Sequence, residues 1–171
     1  MILSNYWKYL YDYTANSFQW INSANDPNPT TYKNLSGNPI TGVSVKGSNN
    51  AGTVNVTENY NPRANLFGLV GTGTQEVDVD DYDLTSRLAI ATSTNIALSY
   101  NSDGYTTLVT VSGLNSSGDD ITITEVGIAK ALLDKDGNIV DRTLIAKKLL
   151  DTPITVADGD VFTVTYDWIE R

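Results

Sequence analysis

The fold is decided by Ile121-Thr-Ile-Thr-Glu-Val-Gly-Ile-Ala129 and by two later segments, Leu149-Leu-Asp-Thr-Pro-Ile-Thr-Val156 and Val161-Phe-Thr-Val-Thr-Tyr-Asp-Trp168. Most of their residues are β-branched, aromatic or aliphatic, and apolar and polar residues tend to alternate. Alternation with a period of two is typical of half-buried antiparallel strands. We therefore expect a mainly β protein, specifically an antiparallel β-sandwich of jelly-roll-like or immunoglobulin-like type.

The alternation is regular in the last segment and slips in the first. One face of the last segment is apolar and consists of Phe162, Val164, Tyr166 and Trp168. The other face is polar, so this strand is expected to bury one side only. In the first segment, Ile123 and Val126 have opposite parity. Either both faces of that strand are buried or a bulge lies near Glu125.

Composition excludes several classes of function. The 171 residues are most simply one domain. They carry 20 acidic and 11 basic side chains, for a net charge of −9. This negative charge disfavours binding to nucleic acid and to anionic membranes. The chain has no Cys and no His, so disulfides, the usual zinc ligands and His-dependent catalytic triads are excluded. No apolar stretch approaches a membrane helix, and no signal peptide is predicted. We expect no enzymatic activity and no cofactor.

The first 21 residues form a distinct, aromatic-rich arm. Seven of the sixteen aromatic residues lie here, and apolar residues at helical spacing predict a short amphipathic helix from about Asn5 to Tyr13, capped by Ser4. The helix either packs on its own sandwich or docks onto a partner subunit, as Tyr and Trp often do at interfaces. The candidate assembly-interface residues are Tyr6, Trp7, Tyr9, Leu10, Tyr11, Tyr13, Phe18 and Trp20.

Two further regions follow the arm. Residues 22–63 are rich in Asn, Thr, Ser, Gly and Pro, with a predicted β-hairpin formed by residues 42–46 and 53–57. Residues 64–171 form the predicted sandwich core, and from Ala89 onward the strands are expected to follow one another as a meander.

Three segments resemble ligand-binding loops, and each has a simpler interpretation. The run from Glu76 to Asp83 contains five acids, which suits either calcium or the N-terminus of a short helix over 81–88; the spacing favours the helix. The Asp134–Asn138 segment predicts a hairpin turn, since its glycine is misplaced for a calcium loop. The glycines of Gly71-Thr-Gly-Thr74 lack the continuation that a phosphate loop needs.

The order of three motifs resembles a domain that is common in virion proteins of tailed bacteriophages. The motifs are Gly71-Thr-Gly-Thr74, Ile123-Thr-Glu-Val-Gly-Ile128 and Thr152-Pro-Ile-Thr-Val-Ala-Asp-Gly-Asp-Val-Phe-Thr-Val-Thr-Tyr166. The resemblance covers about residues 64–170, with Ala129-Lys130 where Leu-Phe is more usual. It implies a β-sandwich that serves as a tail, fibre, neck or head-associated part of a phage particle. It also implies synthesis in the host bacterial cytoplasm, homo-oligomerisation, and contacts with copies of itself and other virion proteins.

Two other functions are compatible with the composition. A carbohydrate-binding module for host-surface glycans would present a coplanar pair of exposed aromatic side chains. A glycosidase would use two carboxylates, but the acidic residues fall in turns and no pair is singled out.

Overall fold

The structure is a computed structural model that describes Leu3 and residues 31–40, 66–101, 104–133 and 138–168. Its strands are β1 (Tyr32–Lys33), β2 (Pro39–Ile40), β3 (Leu66–Gly71), β4 (Thr92–Asn101), β5 (Gly104–Leu114), β6 (Ile121–Leu133), β7 (Ile139–Val156) and β8 (Val161–Trp168). No helix occurs in these ranges. Within the same ranges, no segment forms a helix that could span a membrane. The prediction of a mainly β protein is confirmed.

The strands form a two-stranded sheet, β1-β2, and two three-stranded sheets with the orders β3-β6-β7 and β4-β5-β8. The pairs β1–β2, β4–β5 and β5–β8 are antiparallel, as predicted. The expected meander is wrong in its order, because β5 is followed in sequence by a strand of the other sheet and pairs instead with β8. The six-residue connection 115–120 is long enough for the chain to change sheets.

Alternation along β5 and β8 separates a buried face from an exposed one. Val109 and Val111 are fully buried, and Phe162 and Val164 are 3% exposed. Burying an apolar side chain of this size stabilises a fold by about 1.5–3 kcal/mol. The other face carries hydroxyls that form hydrogen bonds between the two strands. The pairs are Ser112–Thr163 at 3.0 Å and Thr110–Thr165 at 3.3 Å. The buried face predicted for the last strand is confirmed at Phe162 and Val164.

Strand β6 is buried on both faces over much of its length. Its first residues alternate between buried and exposed, and every residue from Glu125 to Leu132 is then buried. This confirms the first of the two alternatives drawn from the parity slip, burial of both faces. The apolar sequence of β6 therefore reflects a central strand, in agreement with the order β3-β6-β7.

The described residues belong to two compact units. The first unit comprises residues 1–66, 77–83 and 128–147. In it, Tyr32 and Leu132 form a fully buried pair with Ile40 packed against it. Leu3 is also fully buried, and its N–H donates to the Ile145 carbonyl at 3.2 Å. One residue of the aromatic arm therefore lies on β7 of the same chain.

The second unit comprises residues 67–76, 84–127 and 148–171. In it, β3 approaches β4 and β5 closely at Gly68. A Cβ at this position would lie 2.6 Å from the methyl carbons of Val111. Gly68 also donates its N–H to the Thr94 hydroxyl and accepts from the Thr92 hydroxyl. Only glycine permits this approach of β3 to side chains of the other sheet.

The helix predicted over residues 81–88 is wrong. These residues form turns and bends, with an isolated bridge between Gly71 and Arg87. The acidic side chains bond to nearby backbone instead: Asp78 Oδ1 accepts from the Asp80 N–H at 2.9 Å, and Asp81 Oδ2 accepts from the Asp78 N–H at 3.0 Å. Such local bonds compete with helical hydrogen bonds.

Other predicted elements lie outside the described residues. They are the helix over residues 5–13, the hairpin strands 42–46 and 53–57, and residues 134–137 of the predicted turn.

Candidate functional site

A fully enclosed polar site in the second unit is built around the Glu125 carboxylate on β6. Glu125 is fully buried. Its Oε1 accepts hydrogen bonds from the N–H groups of Gly73 at 3.1 Å and Ser86 at 2.8 Å, and its Oε2 accepts from Thr85 N–H at 3.1 Å. A single side chain thus fixes two segments that are separated by eleven residues in sequence, and we name this arrangement the Glu125 clamp.

The glycines of the Gly71-Thr-Gly-Thr74 segment make room for the clamp. A Cβ on Gly71 or on Gly73 would lie 2.5 Å from Glu125 Oε1. The neighbouring Thr124 donates its hydroxyl to the Gly73 carbonyl at 2.7 Å, so consecutive residues of β6 hold both backbone groups of Gly73. The glycine-rich segment therefore packs closely against a carboxylate of its own chain and donates one N–H to it, from Gly73.

The chemistry of the clamp favours a positioning role. Hydrogen bonds to a charged acceptor contribute about 1.5–3 kcal/mol each, and they compensate for the burial of the carboxylate. Three backbone N–H groups converge on the Glu125 oxygens and occupy three of the roughly four lone-pair sites of a carboxylate, so most of its acceptor capacity serves to hold backbone. The parity slip at Glu125 is the sequence signal of this site, but it does not reveal which residues the side chain contacts.

A second buried polar group, Asn115, joins two turns of the second unit. Asn115 is fully buried, and its Nδ2 donates to the carbonyls of Asp119 at 2.8 Å and Val156 at 3.0 Å. Its backbone N–H donates to the Asp160 carbonyl, and its own carbonyl accepts from Gly159 N–H. Asn115 therefore connects the turn after β5 with the turn between β7 and β8.

The acidic residues around these turns act as acceptors for backbone groups. Asp158 Oδ1 accepts from Gly118 N–H at 2.9 Å, and Asp120 Oδ1 accepts from Asp158 N–H at 3.2 Å. Within the part of the chain that the structure describes, which includes the acidic run Glu76–Asp83, no three acidic side chains converge as a metal site would require.

In the first unit, two lysines lie buried in the strands. Lys147 on β7 is 2% exposed, and its Nζ forms a salt bridge with Asp81 Oδ2 at 3.1 Å, which ties the acidic run to β7. Lys130 on β6 is 4% exposed, and this burial lowers its pKa to about 8. Both lysines interrupt apolar runs of the sequence, which is the signal that could have marked them as buried charges.

A groove in the second unit lies between β7 and β8 and has a volume of about 520 Å³. Its lining residues are Lys148, Leu150, Asp151, Thr152, Ile154, Thr163, Val164 and Thr165. Among the strands that the structure describes, β7 is an edge of the β3-β6-β7 sheet, and β8 is an edge of the β4-β5-β8 sheet. The groove is therefore bordered by one such strand from each three-stranded sheet, and aliphatic residues and threonines make up most of its lining.

The predicted assembly-interface residues are not placed by the structure. Tyr6, Trp7, Tyr9, Leu10, Tyr11, Tyr13, Phe18 and Trp20 lie outside the described residues, so their role stays a prediction. Sequence reasoning missed the groove, because the groove depends on which strands form the sheet edges.

Searches with this chain match no protein-family model, no curated protein and no solved structure.

Proposed function

We propose that this chain is a non-enzymatic structural component of a tailed-bacteriophage particle, where it forms part of the tail, fibre, neck or head. It is made in the host bacterial cytoplasm and assembles with copies of itself and with other virion proteins. The observation that supports this role most is the Glu125 clamp, because it joins two of the motifs on which the resemblance rests. Glu125 belongs to the Ile123–Ile128 motif, and its carboxylate binds Gly73 of the Gly71–Thr74 motif.

The contact between these motifs gives a physical reason for their occurrence together. The first motif needs glycines because a Cβ would collide with Glu125 Oε1. The second needs a carboxylate because backbone N–H groups converge on it. Two short motifs that had arisen independently would have no reason to be complementary.

The use of the buried polar side chains also supports a structural role. Glu125 and Asn115 each bind backbone groups from distant parts of the second unit, and in the first unit Asn34 binds the backbone of its own turn. Asn34 Oδ1 accepts from the N–H groups of Ser36 at 3.0 Å and Asn38 at 2.8 Å, and thereby shapes the β1–β2 turn. These side chains hold the backbone in place, which suits a subunit that must keep its shape in an assembly.

The proposed architecture is an antiparallel β-sandwich of jelly-roll-like or immunoglobulin-like type, preceded by an amphipathic helix. The approach of Gly68 on β3 to Val111 on β5 supports two facing layers, since it brings strands of the two sheets into contact in the second unit. The helix is proposed to bring subunits together through its aromatic side chains.

The direct test is the protein composition of purified phage particles produced from a genome that encodes this chain. Quantitative mass spectrometry should find the chain in the particles at a fixed copy number that fits a symmetric assembly. Complete absence from intact, infectious particles would refute the proposal. A glucanase or glycosidase activity that disappears with one Asp→Asn substitution would also refute its non-enzymatic part.

A carbohydrate-binding module is the second candidate, and exposed Tyr82 favours it. The Tyr82 side chain is 44% exposed, and its ring lies 3.0 Å from where a Cβ of Gly37 would be. A ring fixed in this way could stack on a sugar. Binding to a glycan array that is lost in Tyr82→Ala would support this function, whereas equal binding by the variant would argue against this site.

A further inference from the structure

We propose that β8 pairs in antiparallel register with β8 of a second copy, so that the two β4-β5-β8 sheets continue into each other. This inference names the partner for the assembly proposed above and in that sense rests on it. Among the strands of the structure, β8 has β5 on one side and no strand on the other. The backbone N–H and C=O groups along such an edge can accept a further strand.

The surface along this edge is suited to burial. Residues Thr163 to Thr165 line one wall of the groove, and Leu150 and Ile154 of β7 contribute to the other. Val161, at the start of β8, is 72% exposed, which is the largest exposure among the large apolar side chains that the structure describes. A strand added to β8 would cover this apolar side chain and place its own inward residues at the groove.

Charge favours a second copy as the occupant. The chain carries a net charge of −9, so most encounters between copies are repulsive. Along β8, residues 161–166 carry no charge and Asp167 is the single charged residue of the strand. The groove adds only Lys148 and Asp151, whose charges cancel. With one acid per copy, which lies opposite Val161 of the other copy, the β8 edge is a place where two copies of this acidic chain can approach with little repulsion.

The sequence of β8 is also complementary to itself. In a two-fold antiparallel pairing centred on Val164, Thr163 of each copy lies opposite Thr165 of the other, and no acidic residue lies opposite another. Within one copy, Thr163 and Thr165 already bond through their hydroxyls to Ser112 and Thr110 of β5. The second copy continues these hydroxyl rows across the dyad, and such cross-strand pairs stabilise sheets.

The contact is small, which sets the expected affinity. Eight residues of antiparallel strand extend about 27 Å, a contact at the low end of specific interfaces. We therefore expect a dimer of the 18.6 kDa chain that dissociates in the micromolar range. In sedimentation velocity of the full chain, the mass should rise with concentration toward twice the chain mass.

The test variant places like charges opposite each other. Thr163→Lys with Thr165→Lys should weaken dimerisation at least about tenfold, because each new lysine faces another across the dyad. The matched control is Ser93→Lys with Asn95→Lys on β4, the other edge of the same sheet. Ser93 and Asn95 pair with the same two β5 residues as Thr163 and Thr165 do, from the other side of β5. Both β4 residues are also exposed. The control should dimerise within about twofold of the wild type.

A charge-swap experiment keeps the proposal testable if the lysine variant is less stable. Thr163→Glu with Thr165→Glu should also be impaired alone. Mixed with the lysine variant, it should form a heterodimer, because each lysine then faces a glutamate. Restored association would support the β8 pairing. Failure of the mixed sample to associate, with both variants folded by circular dichroism, would overturn it.

Two other results would also overturn the β8 pairing: a wild-type chain that stays monomeric across the micromolar range, and an oligomer that the lysine variant leaves unchanged. These results are separate from the particle test of the proposed function. A monomeric chain found in purified particles would refute the β8 pairing alone. A β8 dimer absent from particles would refute the virion role alone.

Discussion

The Glu125 clamp yields the sharpest prediction about stability, for the substitution Glu125→Gln. The amide keeps one acceptor oxygen and replaces the other with an NH₂ group. If its oxygen stays on Gly73 and Ser86, the NH₂ faces the Thr85 N–H, so that two donors oppose each other. If the amide is reversed, the Gly73 and Ser86 N–H groups both lose their acceptor instead. At least one charge-assisted hydrogen bond is thus lost, in the less costly orientation, and the remaining bonds become neutral.

The magnitude follows from these changes. The lost bond is worth about 1.5–3 kcal/mol, and weakening the others adds about 1 kcal/mol or more. The amide is easier to bury than the carboxylate, which offsets part of the loss. We expect Glu125→Gln to lower the free energy of unfolding by about 3 kcal/mol, a large fraction of the 5–15 kcal/mol of a typical domain. In a chain of this size, that change lowers Tm by roughly 6–12 °C.

The assay is urea denaturation at pH 7, followed by circular dichroism and checked by a thermal scan. The matched control is Glu76→Gln, which removes the same charge from an exposed position and should change stability by less than about 0.5 kcal/mol. If Glu125→Gln is as stable as this control, the reasoning is refuted, because the carboxylate would then contribute nothing to holding the two segments.

Three other substitutions probe the packing of the Glu125 clamp and two further buried groups. Gly73→Ala should destabilise the chain by about 2–4 kcal/mol, because the new methyl would lie 2.5 Å from Glu125 Oε1; a thermal scan in which it melts with the wild type would contradict the close packing. Asn115→Ala should lower stability by about 2–4 kcal/mol in urea denaturation, because it leaves the carbonyls of Asp119 and Val156 without their side-chain donor. Asn115→Asp should be destabilised as well, since an ionised carboxylate cannot donate a hydrogen bond to these carbonyls. Lys130→Met should remove the contribution of this lysine to the pH dependence of the unfolding free energy. Because burial lowers the folded-state pKa to about 8 from 10.5, the unfolded chain binds more protons between these values, and wild-type stability from this group rises with pH by at most about 1.4 kcal/mol per unit. Equal slopes of unfolding free energy for both proteins between pH 8 and 10 would show that Lys130 does not cause the effect.

The strands were predictable where burial is one-sided. The parity of Phe162 and Val164 indicates a half-buried strand from sequence alone, and both side chains are 3% exposed. The order of strands was not predictable, because the pairing of β5 with β8 joins residues about fifty positions apart, and nothing in residues 115–120 shows that the next strand enters the other sheet.

The acidic segments show a different limit of sequence reasoning. The acidic run predicts that a helix starts at Asp81, but in the structure the Asp81 carboxylate bonds to the Asp78 N–H and to Lys147. The lysine lies 66 positions away in the sequence, so local propensity could not include it. Glu125 was visible as an acid in an apolar strand, but its partners are 39 to 52 positions upstream.

The long separation between Glu125 and its partners has a consequence for the order in which the chain folds. Residues 73, 85 and 86 leave the ribosome well before Glu125 does, so the segment that contains them waits for its acceptor until β6 has been synthesised. Closing a loop of this size is entropically unfavourable and slow, and it is repaid only when β6 packs. We expect a nascent chain truncated before Glu125 to expose amide protons of this segment to exchange, and the complete chain to protect them. The clamp thus makes local order in an early segment depend on synthesis of a later one.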